Sequence, residues 1–270
     1  MIQKISYCVC SHNESYSLHQ LLTALTRGVA DKEKTCGFEI IIVDDNSADE
    51  KTVNILENFS KEYDYITIYK RSLDSDFATQ KNFLSSKCSG DWILNLDADE
   101  FVSSEFLELL PQLIDLNPTA EVFRIPRINT VDGLTQTHVE NWGWTVSIND
   151  KLIHTQKLFK NSDEYILLKK IGSIFNETAT DDVNIVNISY KMPLVMFPDY
   201  QMRLYKNSPS IQWTRQVHEY LTGYKAIATF PDKVEYAIQH HKDIVRQTIQ
   251  NEQYSKIIGI YKSQQNTRGI

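Results

Sequence analysis

Over the first 115 residues, short β-branched runs that each end in polar or acidic residues alternate with longer stretches whose apolar residues recur at helical spacing. That alternation builds βαβ units and a mainly parallel sheet, so an all-helical bundle and a sandwich of antiparallel strands are both disfavoured from the start. Strands are expected over residues 4–10, 38–44, 65–69 and 91–96. Between them, Leu18, Leu21, Leu22, Leu25 and Val29 form one apolar helical stripe able to cover a sheet face, and Val53, Leu56, Phe59 and Tyr63 repeat it more loosely. Asp49 or Ser47 is placed to cap that second helix, over residues 51–63. A third helix is expected over 78–87, and a fourth starts from Ser103, a good N-cap with Glu105 in the first turn, until Pro111 kinks or ends it.

After Asn117-Pro118 the texture changes. Strands are expected at 122–128, 201–206, 224–230 and 234–239 and a terminal amphipathic helix at 243–261, while residues 161–198 show no legible period. There is no internal repeat, which sets aside solenoids and propellers. The expectation is one α/β domain in two halves, residues 1–115 and 116–270.

Composition narrows the function classes. With 28 basic against 35 acidic residues the formal charge is −7, so nucleic acid is disfavoured as a general partner, a local basic groove aside. The longest apolar runs, such as 40–43, fall far short of the roughly 20 residues needed to span a bilayer. Residues 1–14 lack the pattern of a signal peptide, and a cytoplasmic protein is expected. Cys8, Cys10, Cys36 and Cys88 show no zinc spacing and read as buried free thiols.

The chemistry gathers at strand ends. Leu94-Asn95-Leu96-Asp97-Ala98-Asp99-Glu100 is a buried strand stopping in a cluster of carboxylates. Their repulsion is relieved by a divalent cation, and hard oxygens beside a diphosphate are what Mg²⁺ or Mn²⁺ prefers. The position suits this, because ligands of open α/β sheets gather beyond the carboxyl ends of strands. On the D-x-D alone, a solvated turn opening an acidic helix is the commoner explanation. A second acidic end shifts the balance: residues 40–43 run into Asp44-Asp45-Asn46-Ser47, where Asp45 suits a hydrogen bond from a base or ribose. The first strand ends in Ser11-His12-Asn13-Glu14, so polar ends converge on one rim and suggest a nucleotide site. Neither G-x-G-x-x-G nor a Walker sequence is present.

Taken in order, these motifs resemble the family 2 glycosyltransferases with a GT-A fold. Residues 5–14 look like that family's first strand, Val43-Asp44-Asp45-Asn46-Ser47 like its second-strand acid motif, and Asp97-Ala98-Asp99 like its D-x-D. Asp76-Phe77-Ala78-Thr79-Gln80-Lys81-Asn82-Phe83 followed by Gly90-Asp91-Trp92-Ile93 is similar to bacterial lipopolysaccharide-core glucosyltransferases and their relatives. The resemblance is dense to about residue 115 and continues as islands at Arg203-Leu204-Tyr205-Lys206, Val217-His218-Glu219 and Ile238-Gln239-His240-His241.

The resemblance implies a Rossmann-like, mixed but mainly parallel sheet with flanking helices, and a nucleotide-sugar donor, a UDP-sugar foremost. His12, Asn13 and Glu14 would end the donor-binding first strand, Asp45 would stand near the base, Asp97 with Ala98 toward the ribose or metal, and Asp99 as the direct ligand of Mn²⁺ or Mg²⁺. The family usually carries a Pro-Thr-Tyr type ending where this chain has Cys8-Val9-Cys10-Ser11-His12, so His12 is the replacement contact to the base. Glu219 matches the position of the base that takes the acceptor proton in an inverting transfer; an exposed strand-end glutamate is its bland alternative. A late histidine would complete the metal site. Adjacent strand residues face opposite sides, so only one of His240 and His241 points inward; His240 is favoured and would tilt the choice toward Mn²⁺, with a surface pair bonded to backbone as the alternative. Lys81 and Arg71 are expected to neutralise the donor or contact its base, and Arg203 with Lys206 to line the diphosphate or acceptor side. Trp142, Trp144 and Trp213 read as core before sugar-stacking platforms.

A nucleotidyltransferase would need a Gly- and Arg-rich loop after the first strand, and residues 11–17 contain neither. An inert sugar- or nucleotide-binding module would have no reason to keep Asp97, Asp99, Glu219 and a late histidine together. The expected acceptor is a glycan or lipid-linked saccharide hydroxyl, with a protein or a modified nucleic-acid base as alternatives. Stereochemistry stays open, because retaining enzymes carry similar motifs.

Overall fold

The structure, a computed structural model, describes residues 2–30 and 36–267. The side chains of Val29, Ala30 and the helical residues beyond 258 lie outside this description. Contacts divide the chain into a first unit of residues 1–126, 200–239 and 254–270 and a second of 127–199 and 240–253.

The first unit opens with β1 (Lys4–Ser11), α1 (Ser15–Ala30), β2 (Gly37–Asp44), α2 (Glu50–Glu62), β3 (Ile66–Lys70), α3 (Phe77–Ser85), β4 (Trp92–Asp97), β5 (Glu100–Phe101), α4 (Ser104–Asp115) and β6 (Val122–Ile125). The second unit contains β7 (Arg127–Asp132), α5 (Gln136–Trp142), β8 (Val146–Phe159), α6 (Asp163–Lys170), β9 (Ile174–Ala179) and β10 (Ile185–Val195). The chain returns to the first for β11 (Gln201–Lys206), β12 (Gln212–Thr214), β13 (Tyr220–Thr222) and β14 (Ile227–Thr229). Then β15 (Ile238–Asp243) begins in the first unit and ends in the second, and α7 (Ile244–Thr267) follows.

The sheet of the first unit runs β14-β6-β11-β4-β1-β2-β3. All its pairs are parallel except those of β11, which lies antiparallel between β4 and β6. Strands buried on both faces read as continuous apolar runs, which is why residues 40–43 carry no alternation. On one face Ile5, Tyr7, Val9, Ile40, Ile42, Leu94 and Leu96 pack with Leu18, Leu21, Leu22 and Leu25 of the predicted α1 stripe and with Phe106, Leu107 and Leu110 of α4. On the other, Cys8, Ile41, Val43, Ile93 and Tyr205 pack with Ala78 and Leu84 of α3 and with Trp213 and Leu221. Gly90 has to be glycine: a Cβ there would stand 2.7 Å from the Ser6 backbone nitrogen. Register brings Ser11 level with Asp44 and Cys10 level with Asp97, so the polar ends of β1, β2 and β4 share one rim.

Several expectations need correcting. Pro111 does not end α4, which runs to Asp115; burial of Leu110 and Ile114 against the sheet outweighs the lost hydrogen bond to the Leu107 carbonyl. The strand over 122–128 is broken at Pro126 into β6 and β7. Only Ile227–Thr229 of 224–230 is a strand, and 234–239 holds a 3-10 turn at Val234–Tyr236, with β15 starting at Ile238. The unread stretch 161–198 is α6, β9 and β10, in the second unit, where β10 pairs with β7, β8 and β9.

Candidate active site

The rim is assembled by short polar contacts. Asp44, buried, accepts from the Ser47 hydroxyl at 2.5 Å and the Ser47 N–H at 3.1 Å, which turns the chain and leaves Asp45 half-buried at the strand end. Asp45 Oδ1 accepts from the Leu73 N–H at 2.8 Å. The Asp45 carbonyl lies 2.7 Å from His12 Nδ1; a carbonyl only accepts, so Nδ1 carries the proton. Asn13 Oδ1 accepts from the N–H groups of Ala48 and Asp49, which fixes its amide, so Nδ2 donates to His12 Nε2 at 2.9 Å. The exposed His12 ring is thereby held in one tautomer and one orientation. Glu14 opens α1, its carbonyl accepting from the Leu18 N–H. The Arg71 guanidinium donates to Gln80 Oε1 and the Ser72 carbonyl and lies over the Phe83 ring, held against α3.

Beyond β4 stands a cluster of buried charge. Arg203 Nη2, from β11, donates to Asp97 Oδ2 at 2.5 Å and to Glu100 Oε1 at 2.6 Å, while Glu100 Oε2 accepts from the Asp97 N–H at 3.1 Å. Ala98, buried in the turn, donates its N–H to the Cys10 carbonyl at 3.1 Å. Lys81 of α3 is 2% exposed and places Nζ 3.3 Å from Asp97 Oδ1 and 2.5 Å from Glu219 Oε1, 4.8 Å from the Trp213 ring centre. Burial opposes ionisation of Asp97, and Arg203 and Lys81 overcome it, holding its carboxyl well below the usual range even with Asp99 close by. Burial likewise pulls the Lys81 ammonium down, but Asp97 and Glu219 push it above its ordinary value. Lys206, expected with Arg203 on the diphosphate or acceptor side, lies over the Trp92 ring.

Glu219 arrives on the β12–β13 hairpin, whose turn puts Arg215 (φ 72°) and His218 (φ 55°) in the left-handed region. Non-glycine residues hold that conformation only where their surroundings impose it. The surroundings here are α3: Asn82 donates to the Trp213 carbonyl at 2.9 Å and accepts from the Trp213 N–H at 2.8 Å, and the Phe77 N–H reaches the Gln216 carbonyl at 3.0 Å. Among the described residues Glu219 Oε2 accepts no hydrogen bond, so one oxygen is anchored and the other open. Trp213 is core, its Nε1 donating to the Tyr205 hydroxyl at 3.1 Å, whereas Trp142 and Trp144 are half-buried and meet edge to face.

In the second unit the strand direction agrees with the expectation for the histidines: His240 is buried and His241 exposed. Asn129 Nδ2 donates to Asp199 and to the Val195 carbonyl, leaving Oδ1 to accept from His240 Nδ1 at 2.7 Å. That bond puts a proton on Nδ1 of His240. His241 bonds the Thr130 and Asp132 side chains and not backbone.

Sequence reasoning counted Glu100 among the strand-end carboxylates and read Trp213 as core, but gave neither a partner and gave Asn82 no role of its own. The available signal was the run Gln80-Lys81-Asn82, polar residues on a helix that has to cover a sheet. Each proves to be spoken for, by Arg71, by Asp97 with Glu219, and by Trp213.

A family model described as Glycosyl transferase family 2 matches residues 6–173. This chain is a family 2 glycosyltransferase. The glycosyltransferase is 28% identical over 200 residues to LpsC, a lipopolysaccharide core biosynthesis glycosyltransferase of Rhizobium meliloti, covering 73% of this chain and 67% of that one. It is 26% identical over 170 residues to an uncharacterized glycosyltransferase of Haemophilus influenzae, 63% of this chain and 50% of that protein. It is also 30% identical over 105 residues, 38% of this chain and 16% of the other, to a poly(ribitol-phosphate) beta-glucosyltransferase of Bacillus spizizenii. The chain thus spans about half or less of the first curated relatives it matches. S. aureus TarS 1-349, solved in complex with UDP-GlcNAc, superposes with a TM-score of 0.51 at 17% identity over 88% of this chain and 58% of that one, and the shared fold is of the GT-A type. Among the described residues no helix of this glycosyltransferase is long and apolar enough to cross a membrane, and no three His, Cys, Asp or Glu side chains form a ready-made metal cage.

Proposed function

We propose that this glycosyltransferase moves a sugar from a nucleotide-diphosphate sugar, a UDP-sugar foremost, to a hydroxyl of a glycan-like acceptor with inversion, Glu219 acting as base. The observation that carries this reading is the Glu219 carboxylate, anchored through Oε1 and open at Oε2, beside the charge cluster at the end of β4. As the acceptor oxygen attacks the anomeric carbon, its proton passes to Oε2 and the bond to the diphosphate breaks, its electrons leaving with the phosphate. Relatives named for lipopolysaccharide core biosynthesis and for glucosylating poly(ribitol-phosphate) support the acceptor class, and the UDP-GlcNAc complex of TarS supports the donor class.

Asp45 and His12 hold the base, Asn13 and Glu14 shape the end of β1, and Asp97, whose two oxygens are each braced by a cation, keeps lone pairs for a ribose hydroxyl. Arg203 and Arg71 act from behind this surface by fixing Asp97, Glu100 and α3. The donor set fits a divalent cation: Asp97, Asp99, Glu100 and Glu219 outnumber Lys81 and Arg203, leaving net negative charge among hard oxygens. Asp99 with Asp97 beside it would hold Mn²⁺ or Mg²⁺, with the substrate phosphates as further ligands, and the ion when bound supplies charge neutralisation of the leaving diphosphate. His240, its Nδ1 bonded to Asn129, would in its neutral form offer Nε2 as a nitrogen ligand.

The test is UDP release from UDP-glucose and UDP-GlcNAc with Mn²⁺ or with EDTA, beside UDP calorimetry. Glu219→Gln is expected to lower release by about 10²-fold or more with UDP affinity kept. Asp99→Ala is expected to abolish the Mn²⁺-dependent part of UDP affinity, and His240→Ala to weaken it more than His241→Ala. Wild-type turnover in Glu219→Gln removes the base assignment, and unchanged affinity in Asp99→Ala removes the metal assignment.

A further inference from the structure

We infer that Lys81 is a positioning residue for the transfer: its buried ammonium fastens the Glu219 carboxylate to the donor strand through Asp97, so that the base is aimed by the strand that carries the donor acids. This rests on the reading of Glu219 as the base.

The argument is geometric. Lys81 is 2% exposed, on a helix whose neighbouring Asn82 grips the same hairpin that carries Glu219. Its Nζ lies between Glu219 Oε1 and Asp97 Oδ1, over the Trp213 ring, and the side chain is almost wholly enclosed. A lysine that grips a diphosphate acts as a compact point charge offered to the ligand; this ammonium is already held between two carboxylates of the protein. Burying an ammonium is costly unless its partners are fixed, and the partners here belong to elements far apart in sequence, β4 and the β12–β13 hairpin. The pair therefore does for the hairpin what a hydrogen bond to a catalytic histidine does for its ring: it selects one rotamer and one oxygen. Oε1 is consumed by Lys81, which leaves Oε2 as the oxygen that meets the acceptor proton. The turn before Glu219 holds Arg215 and His218 in the left-handed region, and the hydrogen bonds that grip this hairpin come from α3, from Asn82 to Trp213 and from Phe77 to Gln216.

The chemistry separates this reading from a direct donor contact. A donor-binding lysine would be felt in UDP affinity. A lysine that aims the base would be felt in turnover and in the order of the hairpin. Lys81→Met and Lys81→Arg are compared with Glu219→Gln and with the double variant Lys81→Met/Glu219→Gln, each first checked for cooperative thermal unfolding. Two readouts are used: hydrogen exchange of residues 212–222 in the unliganded protein, and UDP release together with UDP calorimetry in Mn²⁺. Lys81→Met is expected to speed exchange in 212–222 at least tenfold, with β1 and β2 changed less than twofold. It should lower UDP release by about 10²-fold with UDP affinity within threefold, and Lys81→Arg should recover at least tenfold of the release. In the Glu219→Gln background, Lys81→Met should add less than threefold, since both changes remove one unit. A tenfold loss of UDP affinity with unchanged turnover makes Lys81 a donor contact and overturns the proposal. So does unchanged exchange in 212–222, a result independent of whether Glu219 is the base; wild-type turnover in Glu219→Gln overturns only that assignment. If Lys81→Met does not fold, exchange and turnover of Lys81→Arg decide, since an arginine that keeps both wild-type values shows the cation itself is what the hairpin needs, and one that loses UDP affinity alone overturns the proposal.

Discussion

Cys10 sits one strand over from Asp97, within the field of Lys81, Arg203 and Glu219. Burial is the largest influence on its thiol, Lys81 and Arg203 oppose it, Asp97 and Glu219 add to it, and the balance pushes the pKa up to about 12. An ordinary cysteine, with a pKa near about 8.5, gains most of its thiolate between about pH 8 and 9.5, and its alkylation accelerates accordingly. Cys10 is expected to show almost no acceleration over that interval in native protein, read as iodoacetamide labelling by peptide mass spectrometry, and a rate that follows an ordinary thiol would contradict the buried field at the strand end. At this scale the sequence displays the strand-end acids and hides their partners. Asp97 and Asp99 stand out because strand-end carboxylates are chemically conspicuous, whereas Glu219 is singled out only by the family resemblance. That Arg203 braces Asp97, or that Lys81 is enclosed by Asp97 and Glu219, depends on pairings between elements that spacing along the chain does not encode.

Elements were legible where one local rule governed them. The leucine stripe of α1, the Asp49 and Ser103 caps of α2 and α4, and the strand ends at Asp44 and Asp97 all follow from local chemistry. The second unit failed because β8 is exposed or half-buried along its whole length and so lacks an apolar alternation, and because Pro126 divides what reads as one strand. Glu39 shows how elements are tied. It accepts from Lys4 and Ser6 of β1 and from Ser89 just before β4, linking the inner strands at the end opposite the rim. Burial works against its ionisation, but these donors win and lower its pKa to about 2. Since the folded value lies below the ordinary glutamate value, the stabilisation is complete above the unfolded pKa, near about 4.3, and is lost as pH falls from there through about 2. Glu39→Gln is expected to lower stability at neutral pH by roughly 1–2 kcal/mol, a range reduced for partial solvent screening, with the gap to wild type closing in acid. Urea melts at neutral pH and at about pH 2.5 check this, and a gap constant across that window would show that Glu39 is not ionised in a tie of this kind.

At the scale of the molecule, a donor site built on a preformed rim predicts stabilisation by ligand without large rearrangement. UDP with Mn²⁺ at a hundredfold excess over its dissociation constant is expected to add about 2.7 kcal/mol. For a chain of this size that raises the melting temperature by roughly 5–10 °C. EDTA should remove most of the rise; an equal rise without metal would assign nucleotide binding to Asp45, His12 and their neighbours alone. The parallel core and its polar rim were readable because βαβ order and strand-end acids lie in sequence order. The strand over 201–206 was readable too, but not its antiparallel place between β4 and β6, because it is inserted into that core from much later in the chain.

That late insertion has a consequence in time. Arg203 follows Asp97 by 106 residues, and β11 is the strand that covers the outer side of β4. A ribosome adding roughly 5–20 residues per second needs about 5–20 s to travel that distance. Throughout the interval β4 is the open margin of a four-strand nascent sheet, and Asp97 and Glu100 have no guanidinium to join. The growing chain therefore leaves the tunnel with an open sheet edge and two carboxylates still lacking Arg203 at the same strand, so the wait for β11 is a step of its synthesis in which a chaperone or a wrong strand has that edge to bind.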